Sequence, residues 1–111
     1  NDTTAGWFAA AKAADRNFAA QYCRLTKTEG YHWRLIRTAY ASVSFLAIAQ
    51  MQDFLGLPSR CRMNIPSTAQ GNWQWRMKAG AATPALAKKI RKLATLYGRL
   101  ERQDDQADEE R

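Results

Sequence analysis

Five polar side chains lie where a site could form. Asp2 stands ahead of the first amphipathic run, Gln52 and Asp53 follow an apolar run directly, and Arg62 and Asn64 fall in a stretch punctuated by proline and glycine. Barrels and doubly wound sheets begin their active-site loops just past the ends of their strands, the position that Gln52 and Asp53 would take after a strand. Asp2 and Asp53 are the carboxylates of the body that fall in loop-like sequence. A retaining glycosidase needs such a pair roughly 5 Å apart, and nothing in the sequence brings these two that close. Plainer readings stay open: Asn1-Asp2-Thr3-Thr4 can simply cap a helix, and Asp53 can cap the next turn. Further on, Gly71-Asn72-Trp73-Gln74-Trp75-Arg76 gathers amides, indoles and a guanidinium. The tryptophans can be core anchors, or their ring faces can stack on a sugar or base while the amides bond its hydroxyls or edges.

No catalytic set emerges. The body holds no Ser-His-Asp combination, glycine-rich phosphate loop or neighbouring carboxylate pair, so no catalytic residue is assigned. Cys23 and Cys61 are far apart, and the single His32 does not complete a zinc set, so no metal site is expected either.

These residues need elements to hold them. Asp2, Thr3 and Thr4 offer capping oxygens before a run in which Trp7, Ala11, Ala14, Phe18 and Tyr22 recur at steps of three and four, which predicts one amphipathic helix. After a break at Thr-Lys-Thr-Glu-Gly, Trp33, Ile36 and Tyr40 predict a second, with Arg34 and Arg37 off its apolar seam. Residues 43–49, Val-Ser-Phe-Leu-Ala-Ile-Ala, lose the polar face and fit a strand buried on both sides, or a continued helix. Gly56, Pro58, Pro66 and Gly71 mark a long irregular stretch of the kind that often lines a site. Thr83 followed by Pro84 starts a last helix, with Leu86, Ile90, Leu93, Tyr97 and Leu100 on its seam. Helix, helix, buried strand, long loop and helix is the rhythm of an α/β protein. A lone parallel strand leaves backbone groups and both faces unpartnered, so the sequence asks for more sheet than it contains.

The 111 residues allow one small domain, and 46% hydrophobic content argues for a packed chain. The net charge of +7 hides an asymmetry: residues 1–100 carry 15 basic and 4 acidic side chains, whereas residues 101–111 carry 2 and 6. A basic body of this kind suits nucleic acid, anionic lipid or an acidic neighbour in missing chain. Lys88, Lys89, Arg91, Lys92 and Arg99 make the last helix basic, yet charges opposite an apolar seam are usually solvated surface. Without helix-turn-helix spacing, a zinc finger or an aromatic ribonucleoprotein motif, no nucleic-acid partner is assigned, and a small basic nucleic-acid-binding module stands as the rival reading. No apolar run reaches the roughly 18 residues of a membrane span, so no membrane partner is expected. The cysteine usage fits a reducing, cytoplasmic compartment.

Asn1-Asp2-Thr3-Thr4-Ala5-Gly6-Trp7 resembles the pattern T-H-D-N-D-T-x-x-G-W of amylomaltases and plant-type disproportionating enzymes, the 4-α-glucanotransferases, from its fourth letter onward. Gln52-Asp53-Phe54-Leu55-Gly56-Leu57, Arg62-Met63-Asn64-x-Pro66 and Gly71-Asn72-Trp73-x-Trp75-Arg76 are similar to the family's last motifs, in the same order. The resemblance implies an α/β chain that is the C-terminal part of a (β/α)₈ TIM barrel: the loop after strand 7, helix 7, strand 8 at residues 43–49, and helix 8. It implies a cytoplasmic enzyme without a dissociable cofactor. Such an enzyme cleaves an α-1,4-glucan or maltooligosaccharide, holds a covalent glucosyl intermediate and passes it to an acceptor's 4-hydroxyl.

The family's nucleophile and acid/base lie on earlier strands, and its third carboxylate immediately precedes the position of Asn1. Residues 1–100 would then be a barrel segment and 101–111 a charged tail. Asn64 matches a glucan contact of the family. Arg62, Gln52, Asp53 and Asp2 join it as substrate-binding candidates, the first three chiefly as shapers of the loop. The sequence departs from the family pattern at Ala49-Gln50-Met51, where a proline is common, and at Ser67, where a glycine is usual. Opening on Asn1, the chain reads as a piece of a longer frame whose partner is the rest of the barrel. With a complete barrel needing about 250 residues, the piece is expected to be inactive and poorly stable alone.

Overall fold

A computed structural model describes residues 2–100. The charged tail expected over 101–111 lies outside the described residues. Among the described residues five α-helices and one 3₁₀ turn follow one another: α1 (Thr4–Ala10), α2 (Ala13–Tyr22), α3 (Tyr31–Ala41), α4 (Met51–Phe54), the turn Ser59–Cys61, and α5 (Pro84–Leu96). The chain divides into two compact units, Asn1–Ala81 and Ala82–Arg111.

In the first unit, Thr3 caps α1, its hydroxyl accepting the Gly6 amide at 3.0 Å. The single helix expected across Trp7 to Tyr22 is two helices, because Ala11 and Lys12 adopt extended backbone with ψ near 150°. Burial accounts for the break. Gly6 and Ala19 are the buried residues of α1 and α2, and at 3.6 residues per turn they would sit about 140° apart on one straight helix. The break lets both face the protein. The expected apolar seam is corrected as well: Trp7, Phe18 and Tyr22 are exposed, with the Phe18 and Tyr22 rings stacked at 5.8 Å on the outside.

The core of this unit belongs to α3. Trp33 and Ile36 are only 5% and 3% exposed, and the Trp33 ring lies 5.6 Å from that of Phe54 on α4. Phe8 of α1 meets Tyr31 edge-on at 5.1 Å. The turn before α3 is fastened by charge. Glu29 accepts from Arg34 at 3.2 Å and from Arg37 at 2.6 Å, while Arg34 Nε donates to the carbonyls of Cys23 and Arg24. Burial alone would push the Glu29 carboxyl up, but the hydrogen bonds and charges of Arg37 and Arg34 outweigh it and hold the group below the ordinary glutamate range.

The buried strand expected at residues 43–49 is corrected. These residues form neither strand nor helix, and Val43, Phe45 and Ile48 are 105%, 102% and 83% exposed. A strand exists only through the ladder it shares with a neighbour, and the described residues contain no strand to pair with.

The second unit meets expectation in its helix. Thr83 Oγ1 accepts the Leu86 amide at 3.1 Å and Pro84 occupies the first turn. Leu93 and Ala94 are buried. Leu100, expected on the seam, is exposed, since the helix stops at Leu96 and Gly98 turns the chain at φ 67°.

Candidate functional site

Three stretches of the first unit converge on the start of α1. Asp53, buried on α4, accepts the Thr4 amide through Oδ1 at 2.8 Å. This joins residues far apart in sequence and satisfies one of the amides that every helix leaves unpaired at its start. Asp2 spends one carboxylate oxygen on the Thr3 amide at 2.7 Å. Its other oxygen accepts from the Ser59 hydroxyl at 2.9 Å and faces the Arg62 guanidinium at 3.4 Å. Gln50 donates to the Asp2 carbonyl at 3.2 Å, and buried Gln52 donates to the Cys61 carbonyl, also at 3.2 Å. Arg62 turns its Nε to the Asn64 carbonyl at 3.0 Å. Among the described residues, Thr4 Oγ1 is the one buried side-chain polar atom without a hydrogen bond.

Arg62 joins Asp2 to the Asn64 carbonyl, whereas Asp53 reaches the Thr4 amide and Gln52 the Cys61 carbonyl by separate bonds. Asp2, Gln52, Asp53 and Arg62 thus each tie backbone segments together. Asn64 differs: only its carbonyl is engaged, and its side-chain amide makes no hydrogen bond among the described residues. Sequence reasoning missed Ser59 and Gln50, which fasten Asp2. It also missed Gly6, where an added Cβ would strike Ser59 Oγ and come within 2.6 Å of Asp2 Oδ1. The available signal was a glycine inside a capped helix, which costs stability unless a neighbour approaches closely.

Past Asn64 the chain makes a turn closed on itself. Asn72 Oδ1 accepts the Ile65 amide at 2.8 Å, and Asn72 Nδ2 donates to the Thr68 carbonyl and hydroxyl at 3.0 and 3.1 Å. The Trp73 amide donates to the Met63 carbonyl. The turn encloses an open cleft of about 710 Å³, lined by Asn64, Thr68, Gln70, Asn72, Trp73 and Gln74 among others. No charged side chain lines it. Amides, a hydroxyl and an indole suit a neutral polyhydroxylated ligand and offer a phosphate no cation. Trp73 is 67% exposed, against the reading of both tryptophans as core anchors, while Trp75 is half-buried.

Comparison with known proteins meets this geometry from another side. A 4-alpha-glucanotransferase of Clostridium butyricum is 44% identical over 102 residues, which cover 91% of this chain and 21% of that protein. That of Synechocystis is 46% identical over 99 residues, 89% of this chain and 20% of that protein. An amylomaltase from Streptococcus agalactiae, solved in complex with acarbose, superposes with a TM-score of 0.85 at 36% identity, over 91% of this chain and 20% of that one. The chain spans about a fifth of the length of these relatives. The sequence profile for 4-alpha-glucanotransferase matches residues 1–83, a span that holds the α1 network, the amide-lined cleft and every motif behind the resemblance, and the chain belongs to the 4-alpha-glucanotransferase family.

Proposed function

We propose that this chain is the C-terminal stretch of a (β/α)₈ 4-alpha-glucanotransferase and supplies part of the wall along which an α-1,4-glucan lies. The observation that carries this reading is Asn64, a family-matched amide with its side chain uncommitted, at the edge of an uncharged cleft. The bare segment at residues 43–48 supports it too. Its exposed Val43, Phe45, Leu46 and Ile48 are what an inner barrel strand would show without its neighbours.

In the parent protein a carboxylate attacks the anomeric carbon of a glucosyl unit while an acid protonates the leaving 4-oxygen, giving a covalent glycosyl-enzyme. An acceptor's 4-hydroxyl then displaces the carboxylate and returns its proton to the same acid/base group. Those carboxylates belong to the rest of the parent, so the segment is inactive alone. The parent requires no dissociable cofactor and works in the cytoplasm on maltooligosaccharides. Asp2, Gln52, Asp53 and Arg62 hold the loop that presents Asn64. Arg62 is the nearest of them, through its bond to the Asn64 carbonyl.

The test is Asn64→Ala in the full-length parent, with glucose release from maltotriose as the assay. Loss of one hydrogen bond that tightens at the transition state should lower transfer by about tenfold or more. The thermal midpoint should not move, because no intramolecular bond of the side chain is lost. Unchanged kinetics would remove Asn64 from the glucan site.

A further inference from the structure

We propose that Trp73 is a second ligand contact in this cleft, an indole platform on which a glucose ring stacks beside the Asn64 amide. This rests on the glucan reading above and adds a binding residue to it. Three observations carry it. The first is exposure: Trp73 is 67% accessible, whereas Trp33, a true core tryptophan of the same unit, is 5% accessible. Unlike the apolar run at residues 43–48, this exposed ring stands among amide side chains at a cleft, the setting in which an aromatic face can meet a sugar.

The second is a fixed base. Trp73 has φ 61°, a left-handed backbone that a non-glycine residue holds only when its surroundings dictate it. Here they do. Its amide is bound to the Met63 carbonyl, its own carbonyl accepts from Arg76 Nη1 at 3.5 Å, and the preceding Asn72 is bonded to Ile65 and Thr68. The base of the indole is therefore ordered before any ligand arrives, which lowers the entropy cost of using it.

The third is the company it keeps. Asn64, Gln70 and Gln74 offer donors and acceptors around the same cleft, with no charge among its lining residues. A pyranose ring presents an apolar C–H face and an equatorial belt of hydroxyls. An indole face matches the former and amides match the latter.

The experiment uses the full-length parent. Trp73→Ala should raise KM for maltoheptaose about tenfold, the size expected of one stacking contact. It should leave the thermal midpoint in place, and Trp73→Phe should restore most of the affinity. A fallen midpoint with KM unchanged would mean that the indole packs against other parts of the parent, and would overturn the proposal. Should Trp73→Ala fail to fold, the parent labelled with 5-fluorotryptophan decides. The Trp73 fluorine resonance, assigned by its absence in Trp73→Phe, should shift on titration with maltoheptaose, and a stationary resonance would overturn the proposal. A silent Trp73 alongside a damaging Asn64→Ala defeats this inference alone, whereas silence at both positions defeats the glucan reading as well.

Discussion

Gly6 shows how closely the start of α1 is built. The helix approaches Ser59 and Asp2 so tightly that a single methyl group on Gly6 would meet the Ser59 hydroxyl and the Asp2 carboxylate. Both partners are held, Asp2 by the Thr3 amide and Arg62, and Ser59 by its bond to Asp2, so neither can swing away freely. Gly6→Ala should destabilise the protein by roughly 1 to 3 kcal/mol, the usual cost of overpacking, even though alanine is the better helix former. Denaturant midpoints compare the two, and a Gly6→Ala protein as stable as the original would mean that the contact relaxes at no cost. Ser67, where the resemblance leads one to expect glycine, has a φ of 65°, the left-handed conformation that glycine takes without penalty; nothing in the structure explains the serine.

The elements divide by the range of the forces that define them. α3 and α5 were legible because their determinants are local: the Thr83 cap and Pro84, the break at Gly30, and apolar residues repeating every three or four positions. The break between α1 and α2 was not, since it answers to where Gly6 and Ala19 must bury and not to any glycine or proline at residues 11 and 12. The family was legible as an order of motifs, and the candidate site followed from it only as an expectation. Its wiring was hidden, because the bonds from Asp53 to Thr4 and from Ser59 to Asp2 cross about half the chain.

The turn before α3 carries a pH dependence of defined sign. The Glu29 carboxyl is held below its ordinary range in the folded state, so its contribution is fully present above the unfolded glutamate pKa and is lost as pH falls through the lower folded value. Glu29→Gln should therefore lower stability at pH 7 and close the gap to the original protein as the solution is acidified below about pH 4. Urea midpoints across that range test it. A gap that stays constant down to pH 2 would mean that the Arg34 and Arg37 pairs contribute nothing through charge.

For the whole molecule, what is buried is small beside what is bare. Among the described residues the buried apolar side chains are Ala19, Trp33, Ile36, Leu93 and Ala94, while Val43, Phe45, Leu46 and Ile48 stand in solvent. That balance is thin for a chain of 111 residues. It fits a segment spanning about a fifth of its relatives. The apolar run at residues 43–49 pointed to an α/β chain, but a strand cannot be realised by one segment, and the described residues form none. Amide hydrogen exchange over residues 43–49, measured in the full-length parent, tests this account most directly. Pairing in a barrel predicts protection of these amides by several orders of magnitude relative to the unfolded chain, and exchange at unfolded rates in the intact parent would contradict it.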